Sequence, residues 1–254
     1  QWKKNCEEER LLGVSLTGIM DCEFTSGKKS GLSELLDELR EMAVKTNKEF
    51  ASKIGINQSV AVTCVKPSGT VSQLVDAASG IHARHNPYYV RTVRGDKKDP
   101  LTKMMMDAGF PVEDDQMNPS HTSVFSFPMK VDQRAIFRTD MTAIEQLELW
   151  LTYQKHWCEH KPSVTISVKE HEWLEVGAWV YDNFDYMSGV SFLPFSEHTY
   201  KQAPYQDCSK EEYEMLLGKM PKVVEWNKLS EYELTDMTIG AQELACAAGF
   251  CEIQ

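Results

Sequence analysis

The segment Val60-Ala-Val-Thr-Cys-Val-Lys-Pro-Ser-Gly-Thr-Val-Ser72 leaves this chain few architectures to choose from. Val60 to Val65 is apolar and rich in β-branched residues, the pattern of a buried strand. Pro67 ends it, because proline has no N–H for a ladder and a fixed φ. From Thr70 to Ala78 the spacing turns helical, with Val71, Leu74, Val75 and Ala78 on one face and Gly80 placed to stop the helix. A small-residue loop between a buried strand and a helix presents unpaired N–H groups and a positive dipole end, which suit an anion. Ser and Thr are equally ordinary N-cap residues, so these residues alone leave a phosphate loop and a plain capped helix both open. The spacing is not GxxxxGK[ST], which argues against a P-loop NTPase.

The same alternation runs through the chain. Leu11 to Ile19 reads as a first buried strand after the charged Glu7-Glu-Glu-Arg10. A long amphipathic helix follows, with Ser30 as its N-cap, Leu32, Leu35, Leu36, Leu39, Met42, Ala43 and Phe50 on one side, and Gly55 at its end. Later strands are expected at Tyr88 to Val93, at Ser123 to Phe127 (stopped by Pro128), at Ser163 to Val168 and at Gly189 to Leu193. Between them lie helices at Leu101 to Ala108, from the capping box Thr142-Ala-Ile-Glu145 to about His160, and at Glu170 to Phe184. Trp173, Leu174, Val180, Tyr181 and Phe184 are the expected anchors of the last of these. Strands alternating with helices imply an α/β fold with a mostly parallel sheet and helices packed outside it. Beyond Phe195 the pattern loosens, with one helix expected at Lys210 to Leu217.

Composition narrows the function classes. With 42% hydrophobic and 26% charged residues the chain has the balance of a soluble globular protein. A net charge of −11 disfavours a nucleic-acid partner. No apolar run is long enough to cross a bilayer, so no membrane association is expected. Seven scattered cysteines argue against a disulfide framework and for a reducing compartment, so the cytoplasm is expected. The polar start at Gln1 rather than Met reads as a fragment or a processed piece.

Several residues carry candidate chemistry. Cys246 and Cys251 are separated by four small or flexible residues including Gly249, so they fit either a thiol–disulfide redox pair or two unrelated thiols. Cys64, on the strand before the loop, reads as a small apolar core residue. His156, Cys158 and His160 share one stretch, but no complementary metal ligands are apparent, and no metal site is expected. His82, Arg84, His85, Arg91 and Arg94 form the one basic cluster, to be met either by internal ion pairs or by an anionic ligand.

Taken together, the segments resemble the C-terminal part of the adenosylcobalamin-dependent (class II) ribonucleotide reductases, of the monomeric ribonucleoside-triphosphate type. The resemblance is carried by Gly13-Val-Ser-Leu-Thr-Gly18, Val65-Lys-Pro-Ser-Gly-Thr-Val-Ser72, Ser79-Gly-Ile-His82 and Tyr88-Tyr-Val-Arg-Thr-Val-Arg94. It continues through Gly109-Phe-Pro-Val112, Val124-Phe-Ser-Phe-Pro128 and Pro162-Ser-Val-Thr-Ile-Ser-Val168. Glu172 to Val180, Val190-Ser-Phe-Leu-Pro194, Ala203-Pro-Tyr205 and Glu243-Leu-Ala-Cys246 with Cys251 complete it.

The resemblance implies that residues 1–194 supply the later strands and helices of a ten-stranded α/β barrel. Residues 195–238 would be an irregular, partly helical extension and 239–254 a flexible redox tail. It further implies that Pro67, Ser68, Gly69, Thr70, Val71 and Ser72 cradle the phosphates of a ribonucleoside triphosphate. Cys246 and Cys251 would be the dithiol shuttle, recharged by thioredoxin or a similar reductant. The implied reaction makes deoxyribonucleotides for DNA replication by a thiyl-radical mechanism that adenosylcobalamin initiates. The family's radical-bearing Asn-Pro-Cys-Gly-Glu-like loop does not occur here. The chain is therefore expected to be inactive without an N-terminal part, which would also bind most of the cobalamin. Two alternatives share the motifs: the large subunit of a class I reductase, and a non-catalytic nucleotide-binding or dithiol relay module.

Overall fold

A computed structural model describes residues 1–69, 71–132, 134–195 and 201–235. Its helices are α1 (Trp2–Glu9), α2 (Leu32–Ile54), α3 (Val71–Leu74), α4 (Pro100–Asp107), α5 (Ala143–His156), α6 (Trp173–Asp182), α7 (Lys210–Lys219) and α8 (Leu229–Tyr232). Its strands are β1 (Val14–Ser15), β2 (Thr63–Cys64), β3 (Tyr88–Asp96), β4 (Val112–Asp114), β5 (Thr122–Lys130), β6 (Ser163–Val168), β7 (Gly189–Pro194) and β8 (Tyr205–Asp207). The fold is α/β. By internal contacts the chain separates into two units, Gln1–Arg84 with Gln133–Ser196, and His85–Asp132 with Glu197–Gln254.

The first unit is built on α5. Thr142 accepts from the Glu145 N–H while the Glu145 carboxylate accepts from the Thr142 N–H, the expected capping box. Ala143, Leu147, Leu149, Trp150, Leu151 and Tyr153 of this helix are all buried. The buried Glu172 carboxylate accepts from Ala143 N–H at 3.1 Å and from Lys169 N–H at 2.8 Å, so one side chain serves two helix starts. β6 alternates as its sequence requires, Val164, Ile166 and Val168 turning into the core. It pairs in parallel with β7, from Ser163 opposite Gly189 to Val168 opposite Pro194, with α6 as the crossover. β1 and β2 form a second parallel pair, Val14 opposite Thr63 and Ser15 opposite Cys64.

The second unit corrects the expectation of a mostly parallel sheet. Its four strands, in the order β4-β5-β3-β8, are antiparallel throughout. β3 and β5 pair over their full length, from Tyr88 opposite Lys130 to Asp96 opposite Thr122. Pro128 does not stop β5. β4 accompanies that strand only as far as the Ser126 N–H to Pro111 C=O bond, so proline falls where one flank is open. Met105, Phe110 and Phe125 form one small core cluster of this unit, with Phe127, Met220 and Val224 packed against it. Among the described residues the strands make three sheets, none of them closed.

Four further expectations change. The strands around residues 14 and 63 are each two residues long, although Val62 to Val65 is buried throughout. The helix after the loop is a single turn, Val71–Leu74, with Val71, Leu74 and Val75 exposed at 58%, 85% and 57%. It breaks at Asp76, whose φ is +47°, and Ala77 N–H turns back to Ser72 C=O. In α6 the buried side chain is Val176, with Trp179 and Val180 beside the core, whereas Leu174, Tyr181 and Phe184 are 91%, 83% and 70% exposed. α2 runs as expected to Gly55, but Gly31 rather than Ser30 caps its start.

Candidate functional site

The loop expected to bind phosphate follows β2, and β2 is fixed by the far end of α5. Thr63 Oγ1 donates to Trp157 C=O at 2.5 Å, and the Trp157 indole N–H donates to Cys64 C=O at 2.7 Å. The N–H groups of Glu159 and His160 both donate to Thr63 C=O, while the Glu159 carboxylate accepts from Val62 N–H at 2.8 Å. Lys66 continues the fastening. Its N–H donates to Ser15 Oγ at 3.1 Å, and its ammonium donates to Lys161 C=O at 2.6 Å.

A second loop, residues 76–84, backs the first. Ser68 N–H donates to Ser79 Oγ at 2.9 Å, and Ser79 Oγ returns a bond to Ser68 C=O at 3.1 Å. Gly80 has φ +54°, and a Cβ there would lie 2.9 Å from the Lys66 carbonyl oxygen, so only glycine fits the approach. Arg84 is buried and grips Asp21 with two nitrogens, at 2.8 and 3.0 Å, and Asp76 at 3.1 Å. Asp21 Oδ2 also accepts from Ala78 N–H at 2.6 Å. The Arg84 guanidinium is desolvated by burial, but its hydrogen bonds to Asp21 and Asp76 prevail and hold its pKa above the ordinary value. Thr17 Oγ1 accepts from Gly80 N–H at 3.2 Å, and with Asp21, Ser79, Gly80 and Arg84 it shapes the loop from outside. Of these, sequence reasoning offered only Arg84 as a candidate for meeting a ligand, and took Gly80 for a helix stop.

His82 ties the same backing loop to β6. Its Nδ1 lies 3.1 Å from Ser79 C=O, and its Nε2 accepts from Thr165 N–H at 3.1 Å, an arrangement that only the neutral Nδ1–H tautomer satisfies. Burial pushes its pKa down, outweighing the Ser79 carbonyl, which acts the other way. The unfolded chain then binds the extra proton more readily than the folded one. Stability is therefore expected to fall as pH drops below His82's ordinary value of 6.5 and to keep falling until the folded pKa is reached. The slope contributed is at most about 1.4 kcal/mol per pH unit. Urea unfolding of the parent and of His82→Gln at pH 7.5 and pH 5.5 checks this, and an equal loss in both proteins would refute it.

The expected loop residues are presented unevenly. Pro67 and Val71 are exposed, Ser68 and Gly69 half-exposed, and Ser72 buried, its hydroxyl donating to Ser68 C=O at 2.7 Å. Thr70 lies outside the described residues, as do Cys246 and Cys251. Ser68 N–H is already committed to Ser79. Among the described residues, the Gly69 and Val71 N–H groups and the Ser68 hydroxyl are on the exposed part of the loop, where they can meet an anion.

The other candidates are met inside the protein. Arg94 pairs with Asp115 at 3.0 Å and His85 with Asp207 at 2.6 Å, and Arg91 stacks over Tyr205. His156 bonds Asp37 at 2.9 Å, His160 bonds Leu12 C=O at 2.6 Å, and burial pushes the Cys158 thiol up to about 12. Cys64 is buried in the core beside the loop. No group of three potential metal ligands occurs among the described residues, and no helix among them is long and apolar enough to cross a membrane.

No family model matches the chain. Curated proteins do. The chain is 32% identical over 232 residues to an adenosylcobalamin-dependent ribonucleoside-triphosphate reductase of Euglena gracilis, a match covering 88% of the chain and 31% of the relative. A probable reductase of the same description from Dictyostelium discoideum is 30% identical, over 89% of the chain and 30% of the relative. The Lactobacillus leichmannii reductase is 25% identical, over 98% of the chain and 37% of its own length. A crystal structure of a B12-dependent (class II) ribonucleotide reductase superposes with TM-score 0.75 at 23% identity, over 93% of this chain and 36% of that one. The chain therefore spans about a third of the proteins it matches.

Proposed function

We propose that this chain, a homologue of the adenosylcobalamin-dependent ribonucleoside-triphosphate reductases over most of its own length, works as one part of such a reductase. The observation that carries the reading is the 32% identity maintained over 88% of the chain. Within it, the 67–72 loop would hold the phosphates of a ribonucleoside triphosphate, and Cys246 and Cys251 would pass electrons from thioredoxin or a similar reductant. A cytoplasmic setting agrees with that partner.

Two features of the molecule support a larger assembly. The sheets of the first unit are two-stranded and open, as pieces of a ten-stranded barrel would be before the remaining strands join. Val71, Leu74 and Val75 beside the loop, Leu174 and Tyr181 on α6 and Phe184 just after it expose apolar area of the kind that marks an interaction surface.

Neither of two clefts among the described residues encloses a group the size of adenosylcobalamin. Clefts of about 200 Å³ beside Met104 and Tyr232 and about 540 Å³ beside Lys45 and Ser52 are open surface features. A corrin with its appended nucleotides exceeds the drug-sized molecules that fill about 300–1,000 Å³. The cofactor would be held mainly by the N-terminal part of the reductase. This chain's share is orientation of the substrate and re-reduction.

The test is reconstitution. The chain alone should not reduce CTP with adenosylcobalamin and a dithiol, whereas joining it to the N-terminal part of a relative should produce dCTP. Nucleotide binding without any gain of reductase activity would favour the non-catalytic module. In the active assembly, Gly69→Val is expected to weaken CTP binding by about tenfold or more, equivalent to about 1.4 kcal/mol, because a side chain would block approach to the backbone. Unchanged affinity, measured by calorimetry, would remove the loop from the site.

A further inference from the structure

Thr17 leaves the β1 strand on the exposed side of the loop and makes three contacts with one oxygen. Its Oγ1 donates to Ala78 C=O at 2.8 Å, accepts from Gly80 N–H at 3.2 Å, and lies 3.4 Å from Ser68 Oγ. A hydroxyl has one proton, and Thr17's is committed to Ala78. Toward Ser68 it can only accept. Ala78 is itself fixed, its carbonyl accepting from Gly18 N–H at 2.7 Å and its N–H donating to Asp21. Thr17 Oγ1 is thus a stationary acceptor facing Ser68, which supplies the loop's one presented hydroxyl among the described residues.

We propose that Thr17 is a positioning residue for the phosphate loop, holding the Ser68 hydroxyl as a donor from which it turns onto a bound phosphate. The inference rests on the reading of residues 67–72 as a phosphate site. The resting bond, at 3.4 Å, is long for a hydroxyl pair and cheap to exchange for a charge-assisted one. In the same act Thr17 keeps Gly80 against Lys66, so the Ser68 backbone and its hydroxyl are set by one group from a distant part of the sequence.

The test is a double-mutant cycle in the full-length protein, with inorganic triphosphate as the probe and calorimetry as the readout. Thr17→Val should weaken binding by about five- to tenfold, because the Ser68 hydroxyl and the Gly80 N–H lose the group that orders them before phosphate arrives, and Thr17→Ser should stay within about twofold of the parent. Ser68→Ala should weaken binding similarly, and adding Thr17→Val to it should cost little more, because the two hydroxyls act as a pair. Additive losses would mean that Thr17 supports the fold alone, and the inference would fall while the loop reading stood. If Gly69→Val and Ser68→Ala both bind like the parent, the phosphate reading falls and takes this inference with it. Thr17→Ala repeats the cycle if Thr17→Val does not fold, and a parent-like affinity in either variant overturns the proposal.

Discussion

Trp150→Ala is expected to cost the protein roughly 3–5 kcal/mol of stability, the range for deleting a fully buried aromatic side chain. Trp150 is 0% exposed and sits at the centre of α5, among Leu147, Leu151, Ile166 and Val168. Its indole N–H donates to Pro162 C=O, so truncation opens a cavity and also leaves a buried carbonyl without its donor. The consequence reaches the candidate site, since α5 leads into Trp157, Glu159 and His160, which hold Val62 to Cys64 in place. Urea unfolding checks the magnitude, and Trp150→Phe, which keeps most of the volume, should lose markedly less. A loss under about 1 kcal/mol for the alanine variant would mean the core closes around the gap, and α5 would lose its place as the organising helix.

Elements whose signals are local were legible in the sequence. The capping box at Thr142 and Glu145 needs only four consecutive residues, and it formed as read. The alternation in Ser163 to Val168 fixes which side chains turn inward once the segment is a strand, and Val164, Ile166 and Val168 do. What the sequence hid is partner choice. β3, α4 and β5 look like a parallel crossover unit, yet nine strand residues span about 30 Å and an eight-residue helix about 12 Å. A helix that short does not carry the chain back along such a strand, and the antiparallel pairing of β3 with β5 follows. Length, weighed beside period, would have separated the two. α6 hid its orientation for another reason. It is apolar on several sides, so periodicity did not single out the Val176, Trp179 and Val180 face.

At the candidate site, the break between β2 and α3 was legible and what backs it was not. Pro67 to Ser72 stands out because Pro, Ser and Gly interrupt two regular patterns in consecutive positions. Thr17, Asp21 and Ser79 are ordinary small or acidic residues, separated from Ser68 by up to 51 positions, and no local pattern links them to it. Gly80 was read as a helix stop. Its actual constraint, a close approach to Lys66, arises only when two distant loops meet. For Arg84, His85 and Arg94 the internal ion-pair reading of the basic cluster holds, although no local pattern names the partners. Arg84 has its carboxylate partners in Asp21 and Asp76, Arg94 in Asp115 and His85 in Asp207, all except Asp76 at least 20 residues away in sequence.

Cys246→Ser, in a complete reductase, is expected to abolish turnover driven by thioredoxin while leaving a single turnover from pre-reduced enzyme. The argument is the stoichiometry of exchange. Reducing one disulfide takes two electrons and two protons, delivered as a dithiol becomes a disulfide, and a serine cannot take the second sulfur's place. Competition from the other cysteines is limited by their surroundings. Cys64 is buried, and burial holds the thiols of Cys158 and Cys208 above their ordinary range, where little thiolate forms. Cys6 and Cys22 are the exceptions, both exposed. At Cys22, hydrogen bonds from the backbone of Thr25 and then Phe24 hold the thiol below the ordinary value, the setting of a reactive thiolate. Cys22→Ser is therefore the control that gives the experiment its force. If the shuttle reading holds, Cys22→Ser keeps thioredoxin-supported turnover and Cys246→Ser loses it. If the pattern reverses, electrons enter through the Cys22 loop. Equal loss of multiple and single turnovers in Cys246→Ser would place that residue in the chemistry itself and end its assignment as a carrier.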